Sequence, residues 1–141
     1  MKILVINAGS SSCKYQLFNM ANKEVLCSGI AERIGQSQGK LIHKILPDSN
    51  QERKIIREQE FPTHVEAVDL IISLMTDPEI GVIKNKNEIT GIGHRVLHGG
   101  EEISKPVLVD KHVKEVIKAN IPLGPLHNPA NLMGIEVCEK L

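Results

Sequence analysis

The chain contains 141 residues, about the size of one domain, since domains usually contain roughly 100–200 residues. Its 17 basic and 17 acidic residues cancel, so it lacks the net positive charge expected of a protein that binds nucleic acid or an anionic membrane surface. No apolar segment approaches the roughly 18 residues that a membrane span needs. We therefore expect no nucleic-acid partner and no membrane partner.

The three cysteines are Cys13, Cys27 and Cys138, and no two of them are spaced as C-x-x-C. An odd number without that spacing favours neither a disulfide framework nor a thiolate zinc site. The N-terminal apolar run of residues 3–6 is too short for the core of a signal peptide. These features predict buried, reduced thiols in a cytoplasmic protein.

Five early segments are rich in aliphatic residues or alternate between apolar and polar residues, and turn residues separate them. The predicted strands are Lys2–Asn7, Cys13–Asn19, Glu24–Ile34, Leu41–Leu46 and Glu52–Glu58. The first is continuously aliphatic after its lysine, which predicts a strand buried on both faces. Short turns after the first and fourth strands predict two hairpins.

From Thr63 onward the apolar residues recur at spacings of three and four, which predicts an amphipathic helix. Thr63 and Glu66 have the spacing of a capping box at its start, and Pro78 and Gly81 mark its end. The residues expected to face the core are Val65, Val68, Ile71, Ile72 and Met75.

Three further elements follow. A strand is predicted over Ile89–Leu97 and a helix over Asp110–Ala119. A last helix is predicted over Asn128–Leu141, with Asn128 as its N-cap and Pro129 at its first position. Strands first and helices afterwards predict an α/β domain with a mixed sheet.

The segment after the first strand, residues 7–14 (NAGSSSCK), combines a glycine, three hydroxyls and a lysine. Backbone N–H groups in such a turn can bind an anion, hydroxyls can donate to phosphate oxygens, and a lysine adds charge. The candidate phosphate ligands are Ser10, Ser11, Ser12 and Lys14. It is not a Walker A loop, because it leads into a strand instead of a helix. An ordinary polar hairpin turn is the alternative, and the Asn7 amide oxygen could bind a hard cation.

A second cluster, residues 91–100 (GIGHRVLHGG), places an arginine and two histidines among four glycines at the end of a predicted strand. Arg95 is suited to bidentate recognition of a carboxylate or phosphate. Along a strand it would share a face with Leu97, opposite His94 and His98. The histidines could bind a metal, but hydrogen-bonding roles are favoured because no third ligand has a convincing spacing.

The third cluster is residues 122–131 (PLGPLHNPAN), a proline-rich loop that leads into the last helix. It would place His127 and Asn128 at a helix N-terminus, where backbone donors and the helix dipole favour an anion. A histidine beside an ordinary N-cap is the alternative.

Together, NAGSSSCK (7–14), GHRVLHGG (93–100) and PLHNPAN (125–131) resemble the acetate kinase family, in the family's order and approximate spacing. The resemblance extends over residues 1–141. It implies a ribonuclease-H-like fold of the actin-like ATPase superfamily, which includes the acetate and sugar kinases. It also implies reversible transfer of the γ-phosphoryl group of ATP to acetate, with Mg²⁺ or Mn²⁺, to give acetyl phosphate and ADP.

The resemblance also implies roles for individual residues. Asn7 would bind the metal ion, while Lys14 and the loop of Ser10, Ser11 and Ser12 would bind the nucleotide phosphates. Catalytic roles fall to Arg95, which would also bind the substrate carboxylate or acetyl phosphate, and to His127 near the transferred phosphate. Leu97 and Leu126 would line the pocket for the methyl group. Leu97 stands where a smaller aliphatic residue is common, which leaves propionate or butyrate open as substrate.

The length departs from the family, because 141 residues amount to roughly its first third. We expect residues 1–141 to be the N-terminal domain of a two-domain kinase, and the family's usual homodimer to form in the full-length protein. The family's catalytic aspartate, adenosine-binding segments and magnesium-site glutamate would follow residue 141, so this part alone is predicted to have no measurable turnover. A non-catalytic anion-binding module is the alternative function, and a metal site of His94, His98 and His127 is a weaker one.

Overall fold

The computed structural model of the protein describes residues 1–96, 99, 107–125 and 127–140. Within these residues, six strands and three α-helices form in the predicted order. The strands are β1 Lys2–Ala8, β2 Cys13–Asn19, β3 Glu24–Glu32, β4 Lys40–Ile45, β5 Arg53–Glu58 and β6 Ile89–His94. The helices are α1 His64–Met75, α2 Lys111–Ala119 and α3 Asn128–Glu139.

The strands form a single sheet in the order β5-β4-β3-β2-β1-β6. The first five are paired antiparallel with their neighbours in the chain, whereas β6 is parallel to β1. The predicted mixed sheet and both predicted hairpins are confirmed.

One face of the sheet forms the core, because side chains alternate along each strand and those on this face pack beneath α1 and α3. On β1 the buried residues are Leu4, Ile6 and Ala8, whereas Val5, on the opposite face, is 38% exposed. The prediction that β1 is buried on both faces is therefore wrong. The helices of the described residues cover one face only, so the continuous aliphatic run does not mark double burial here.

The three cysteines are free and buried, as predicted. Cys13 and Cys27 lie on the core face of β2 and β3, and Cys138 lies on the face of α3 that packs against it. Burial raises the pKa of the Cys13 thiol to about 12, so these thiols are un-ionised at neutral pH and act as apolar core residues.

The capping box of α1 is confirmed. The Thr63 side chain accepts from the Val65 N–H at 3.2 Å, and the Thr63 N–H donates to the Glu66 carboxylate at 2.8 Å. The predicted core face is rotated, however, since Val65 is 45% exposed while His64 and Ala67 are buried. His64 and Ala67 were missed because neither a histidine nor an alanine adds strongly to an apolar pattern.

β3 ends at Glu32, two residues before the predicted end, because Arg33 adopts a left-handed conformation with φ of 57° and turns the chain away. Within the described ranges, the helices are too short or too polar to cross a membrane.

Candidate active site at the ends of two parallel strands

The parallel strands β1 and β6 end at the same edge of the sheet, where ligands of open α/β sheets commonly bind. Asn7 is the second-last residue of β1, and Arg95 comes directly after β6. The Arg95 N–H donates to the Ile6 carbonyl at 3.4 Å, which places the two predicted site residues side by side along this edge. The Arg95 side chain is exposed.

Asn7 lies directly opposite Lys14 in the β1–β2 hairpin. Opposite residues of an antiparallel pair point to the same face with Cβ atoms about 4.5–5.5 Å apart, so the amide and the ammonium group can contact one ligand. Both line a cavity of about 400 Å³ on the open face of the sheet, together with the apolar side chains of Ile30 and Ile42 and a second cation, Lys44. Among the residues that the structure describes, no aspartate or glutamate lines the cavity, so the charge of this lining favours an anion.

The serine loop between β1 and β2 has a defined shape. The Gly9 N–H donates to the Ser12 carbonyl at 2.9 Å, and the Ser11 carbonyl accepts from the Ile34 N–H at 2.9 Å. A Cβ atom at Gly9 would lie 2.9 Å from the Ser12 hydroxyl oxygen, so glycine permits this close turn. Among the described residues, no acceptor takes a hydrogen bond from the backbone N–H groups of residues 10–12. These donors are free to bind an anion.

Two buried side chains from different helices hold the end of β1. His64, at the first position of α1, donates through Nε2 to the Gly9 carbonyl at 2.7 Å. Asn131, in the first half of α3, donates through its amide to the Ala8 carbonyl at 2.9 Å. Neither role was predicted from the sequence. Each residue is a polar residue on the inward face of a helix, and its partner is distant in the sequence: 55 residues away for His64 and 123 for Asn131.

β6 ends at His94, earlier than the predicted Leu97. The Ala8 carbonyl, which would be the next acceptor along β1 after Ile6, is occupied by Asn131. His94 Nδ1 donates to the Arg95 carbonyl at 2.6 Å, and its Nε2 is buried against Gly134 of α3. Burial lowers the pKa of His94, so the ring is neutral at pH 7.

This position of His94 contradicts its proposed role in a metal site. One ring nitrogen donates to a backbone carbonyl, and the other lies beneath a helix. Within the described parts of the chain, no group of three or more His, Cys, Asp or Glu residues could hold a metal ion. His98, a second member of that site, lies outside the described residues, as do Leu97 and Leu126 of the expected methyl pocket.

The predicted N-cap of the last helix is also wrong. The Gly124 carbonyl accepts from the N–H groups of both His127 and Asn128, so the chain is already helical at His127. The Asn128 amide instead donates to the Ile117 carbonyl at 3.1 Å and ties α3 to α2. His127 is exposed, and its carbonyl accepts from the Asn131 N–H at 2.8 Å. It therefore lies one helical turn from the residue that contacts the end of β1.

A magnesium ion fits this edge only as a partly protein-bound ion. Asn7 offers one amide oxygen, a ligand type that magnesium accepts, but no carboxylate from the described part of the chain lines the cavity beside it. Magnesium in phosphoryl-transfer sites is commonly held by one or two protein ligands together with phosphate oxygens and water. The described residues are compatible with that arrangement.

Comparison with known proteins identifies the family and the fold of the chain. The profile of the acetokinase family matches residues 2–141. An acetate kinase of Desulfovibrio desulfuricans is 67% identical over the whole chain, which covers 35% of that protein, and one of Thermotoga petrophila is 52% identical, with 34% of it covered. The chain thus spans about a third of the length of the curated relatives it matches.

Solved structures of related kinases are similar over 99% of the chain. The crystal structure of Porphyromonas gingivalis acetate kinase has a TM-score of 0.92 at 41% identity, and this chain covers 34% of it. A propionate kinase from Francisella tularensis has a TM-score of 0.85 at 36% identity, with 33% of that chain covered. The α/β fold with its mixed sheet is thus the one found in acetate and propionate kinases, members of the actin-like ATPase superfamily.

Proposed function

The chain belongs to the acetokinase family, and we propose that the full-length protein is an acetate kinase that transfers the γ-phosphoryl group of ATP reversibly to acetate. One observation carries this proposal. Asn7, Lys14, the serine loop and the backbone N–H of Arg95 lie close together at one edge of the sheet. These groups suit a phosphate and a small carboxylate, the two groups that the reaction must bring together.

In the proposed reaction, the free N–H groups and hydroxyls of Ser10, Ser11 and Ser12 bind the nucleotide phosphates, and Lys14 neutralises their charge. The Arg95 guanidinium holds the carboxylate of acetate, or the acetyl phosphate formed from it, in line with the phosphoryl group. Phosphoryl transfer needs positioning and charge stabilisation more than covalent help from the protein. His127 would add a further donor near the transferred phosphate.

Asn7 would supply one ligand to Mg²⁺, or to Mn²⁺ in its place. When bound, such an ion neutralises charge on the phosphate oxygens.

The proposal extends to the organisation of the whole protein. Residues 1–141 would form the N-terminal ribonuclease-H-like domain of a two-domain kinase, with one wall of the active-site cleft. Its support is that the relatives are about three times as long. We therefore expect the isolated 141-residue chain to form no measurable acetyl phosphate, and family-level turnover by it would contradict the two-domain proposal. A homodimer of the full-length protein and a cytoplasmic location, which the free thiols favour, complete the proposal.

The decisive experiment measures acyl phosphate formation by the full-length protein with ATP and acetate. Arg95→Lys keeps the charge but loses the bidentate fork, and should lower kcat/KM for acetate roughly 100-fold. Lys14→Ala should raise KM for ATP roughly 10-fold.

Lys44→Ala is the matched control. Lys44 lines the same cavity, but it lies within β4 and not at the ends of β1 and β6. It should stay within about 2-fold of wild type. Equal losses in the Lys14 and Lys44 variants would contradict the assignment of the phosphate site to the edge.

Two other functions remain as outcomes of the same assay. The similarity to a propionate kinase structure favours propionate as second candidate substrate, so propionate and butyrate are tested beside acetate. The free N–H groups of the serine loop would also serve a non-catalytic anion-binding module. A full-length protein that binds ADP but phosphorylates none of the three acids would favour that module.

A further inference from the structure

Beyond the residues expected to touch substrate, we propose that His64 and Asn131 are positioning residues. They set the direction of the N–H groups in the serine loop, which binds the nucleotide phosphates in the proposed function. The inference rests on the proposed function, since it assigns these two residues a role toward the nucleotide. Both are almost fully buried, with 3% and 4% of their surfaces exposed. Neither lines the cavity beside Asn7 and Lys14, so their role is indirect.

The two residues hold two consecutive carbonyl groups. His64 binds the Gly9 carbonyl and Asn131 binds the Ala8 carbonyl, at 2.7 and 2.9 Å. They come from two different helices, α1 and α3. The bonds therefore attach the end of β1, between Asn7 and the first serine, to both helices that cover the sheet.

Peptide geometry converts these bonds into a direction for the N–H groups. In a trans peptide the C=O of one residue and the N–H of the next point in opposite directions. Because His64 draws the Gly9 carbonyl toward α1, the Ser10 N–H points away from that helix. Because Asn131 draws the Ala8 carbonyl toward α3, the Gly9 N–H points away from it and closes the loop on the Ser12 carbonyl.

A third bond acts in the same way on the other side of the loop. The Ser11 carbonyl accepts from the Ile34 N–H at 2.9 Å, so the Ser12 N–H points away from Ile34. The loop thus presents two free donors whose directions are set by carbonyl bonds on the inner side. Such preorganised donors bind an anion more tightly than donors that must first reorient.

The Gly9–Ser10 peptide is the part of the loop whose orientation depends most on the His64 hydrogen bond. Glycine allows backbone conformations closed to other residues, so without the His64 bond this peptide can rotate and turn the Ser10 N–H inward. We expect loss of the His64 donor to weaken ATP and ADP binding by roughly 10-fold or more, the cost of one charge-assisted N–H contact to phosphate. Acetate, bound through Arg95 just after the end of β6, should be affected by less than about 2-fold.

The test uses the full-length protein with three substitutions at His64. His64→Leu removes the donor. His64→Gln keeps an amide N–H near the position of Nε2, whereas His64→Asn carries the same amide one methylene shorter and falls short of the Gly9 carbonyl. The expected result is a raised KM for ATP in the Leu and Asn variants and recovery to within about 3-fold of wild type in the Gln variant. If the Leu variant does not fold, the Gln and Asn pair still decides.

Matched controls separate positioning from general destabilisation. His43→Leu removes an equally buried histidine, bonded to Tyr15 at 2.5 Å, that does not contact the loop. It should lower thermal stability without raising KM for ATP. Asn131→Leu should raise KM for ATP, whereas Asn120→Leu, at a residue whose amide donates to Val116 within the end of α2, should not.

The proposal is overturned if the Asn and Gln variants of His64 have equal KM values for ATP, or if the His43 variant raises KM as much as the His64 variants. A wild-type protein that phosphorylates no acid would refute the proposed kinase function separately. In that event the Kd for ADP of the same variants, measured by calorimetry, tests the positioning role, with the same order of variants expected.

Discussion

Gly134 lies where α3 crosses the ends of β1 and β6, and we predict that Gly134→Ala destabilises this region. A Cβ atom there would lie 2.6 Å from the Ala8 Cβ and closer still to His94 Nε2. Neither neighbour can move easily. Ala8 lies on a strand that is paired on both sides, and its carbonyl accepts a hydrogen bond from Asn131. The His94 ring is held by its hydrogen bond to the Arg95 carbonyl.

Two opposing terms decide the sign. Alanine in a helix interior is favoured over glycine by about 1 kcal/mol. Overpacking a close contact typically costs about 1–3 kcal/mol, and the cost is at the upper end when the neighbours are rigid. With two rigid neighbours at Gly134, we expect a net loss of about 2 kcal/mol, equivalent to about a 30-fold change in an equilibrium constant.

Hydrogen exchange in the full-length protein is the suitable assay, because it reports local opening, and the two-domain protein proposed above would not unfold in two states. Amide groups of β1, β6 and α3 should exchange about 30-fold faster in the Gly134→Ala variant. Gly93→Ala is the control, since its Cβ would lie 3.9 Å from Val5 Cγ2, an ordinary contact, and should leave exchange unchanged or slower. Slower exchange in Gly134→Ala would refute the close approach of α3 to the sheet.

Three further predictions concern the fold. Burial lowers the pKa of His43 from 6.5 to about 4, so between these values the unfolded state binds more protons and stability falls with falling pH. The loss, at most about 3 kcal/mol, should be measurable as lower hydrogen-exchange protection factors in β4 at pH 4.5 than at pH 7.5, and the loss should be smaller in His43→Gln. Gly29→Ala would press a methyl group against the Ile42 carbonyl and the Tyr15 hydroxyl, and should lower the hydrogen-exchange protection of β2, β3 and β4 by the equivalent of about 3 kcal/mol. Thr63→Ala removes the cap of α1 and should cost about 1 kcal/mol, visible as faster exchange in its first turn. Unchanged protection factors or exchange rates would contradict each prediction in turn.

Local patterns were sufficient to predict the strands and the start of α1. Apolar alternation depends on neighbours in the same segment, and the Thr63–Glu66 capping box lies within four residues, so short windows of sequence contain both signals. The buried face of α1 was predicted less well. His64 is buried because Gly9 offers a carbonyl to its ring, and that partner lies 55 residues earlier.

The same distinction separates the parts of the candidate site. Asn7 and Lys14 belong to one hairpin, whose register follows from its short loop, so their meeting could be expected from the segment itself. The end of β6 and the start of α3 could not. β6 ends where the Ala8 carbonyl accepts a hydrogen bond from the side chain of Asn131, a residue 123 positions away. No local pattern contains such a competition for one acceptor.

α3 connects the two halves of the proposed site beyond the last bond between the strands, the one from the Arg95 N–H to the Ile6 carbonyl. The pairing between β1 and β6 ends at the pair Ile6–His94, so Asn7 and Arg95 lie one residue beyond it. Beyond that point, α3 fixes β1 through Asn131 and confines β6 through the contact of Gly134 with His94. The separation between the serine loop and Arg95 is therefore set largely by one helix face. A substitution that shifts α3 should alter the use of both substrates together, whereas loss of the His64 bond should alter ATP alone.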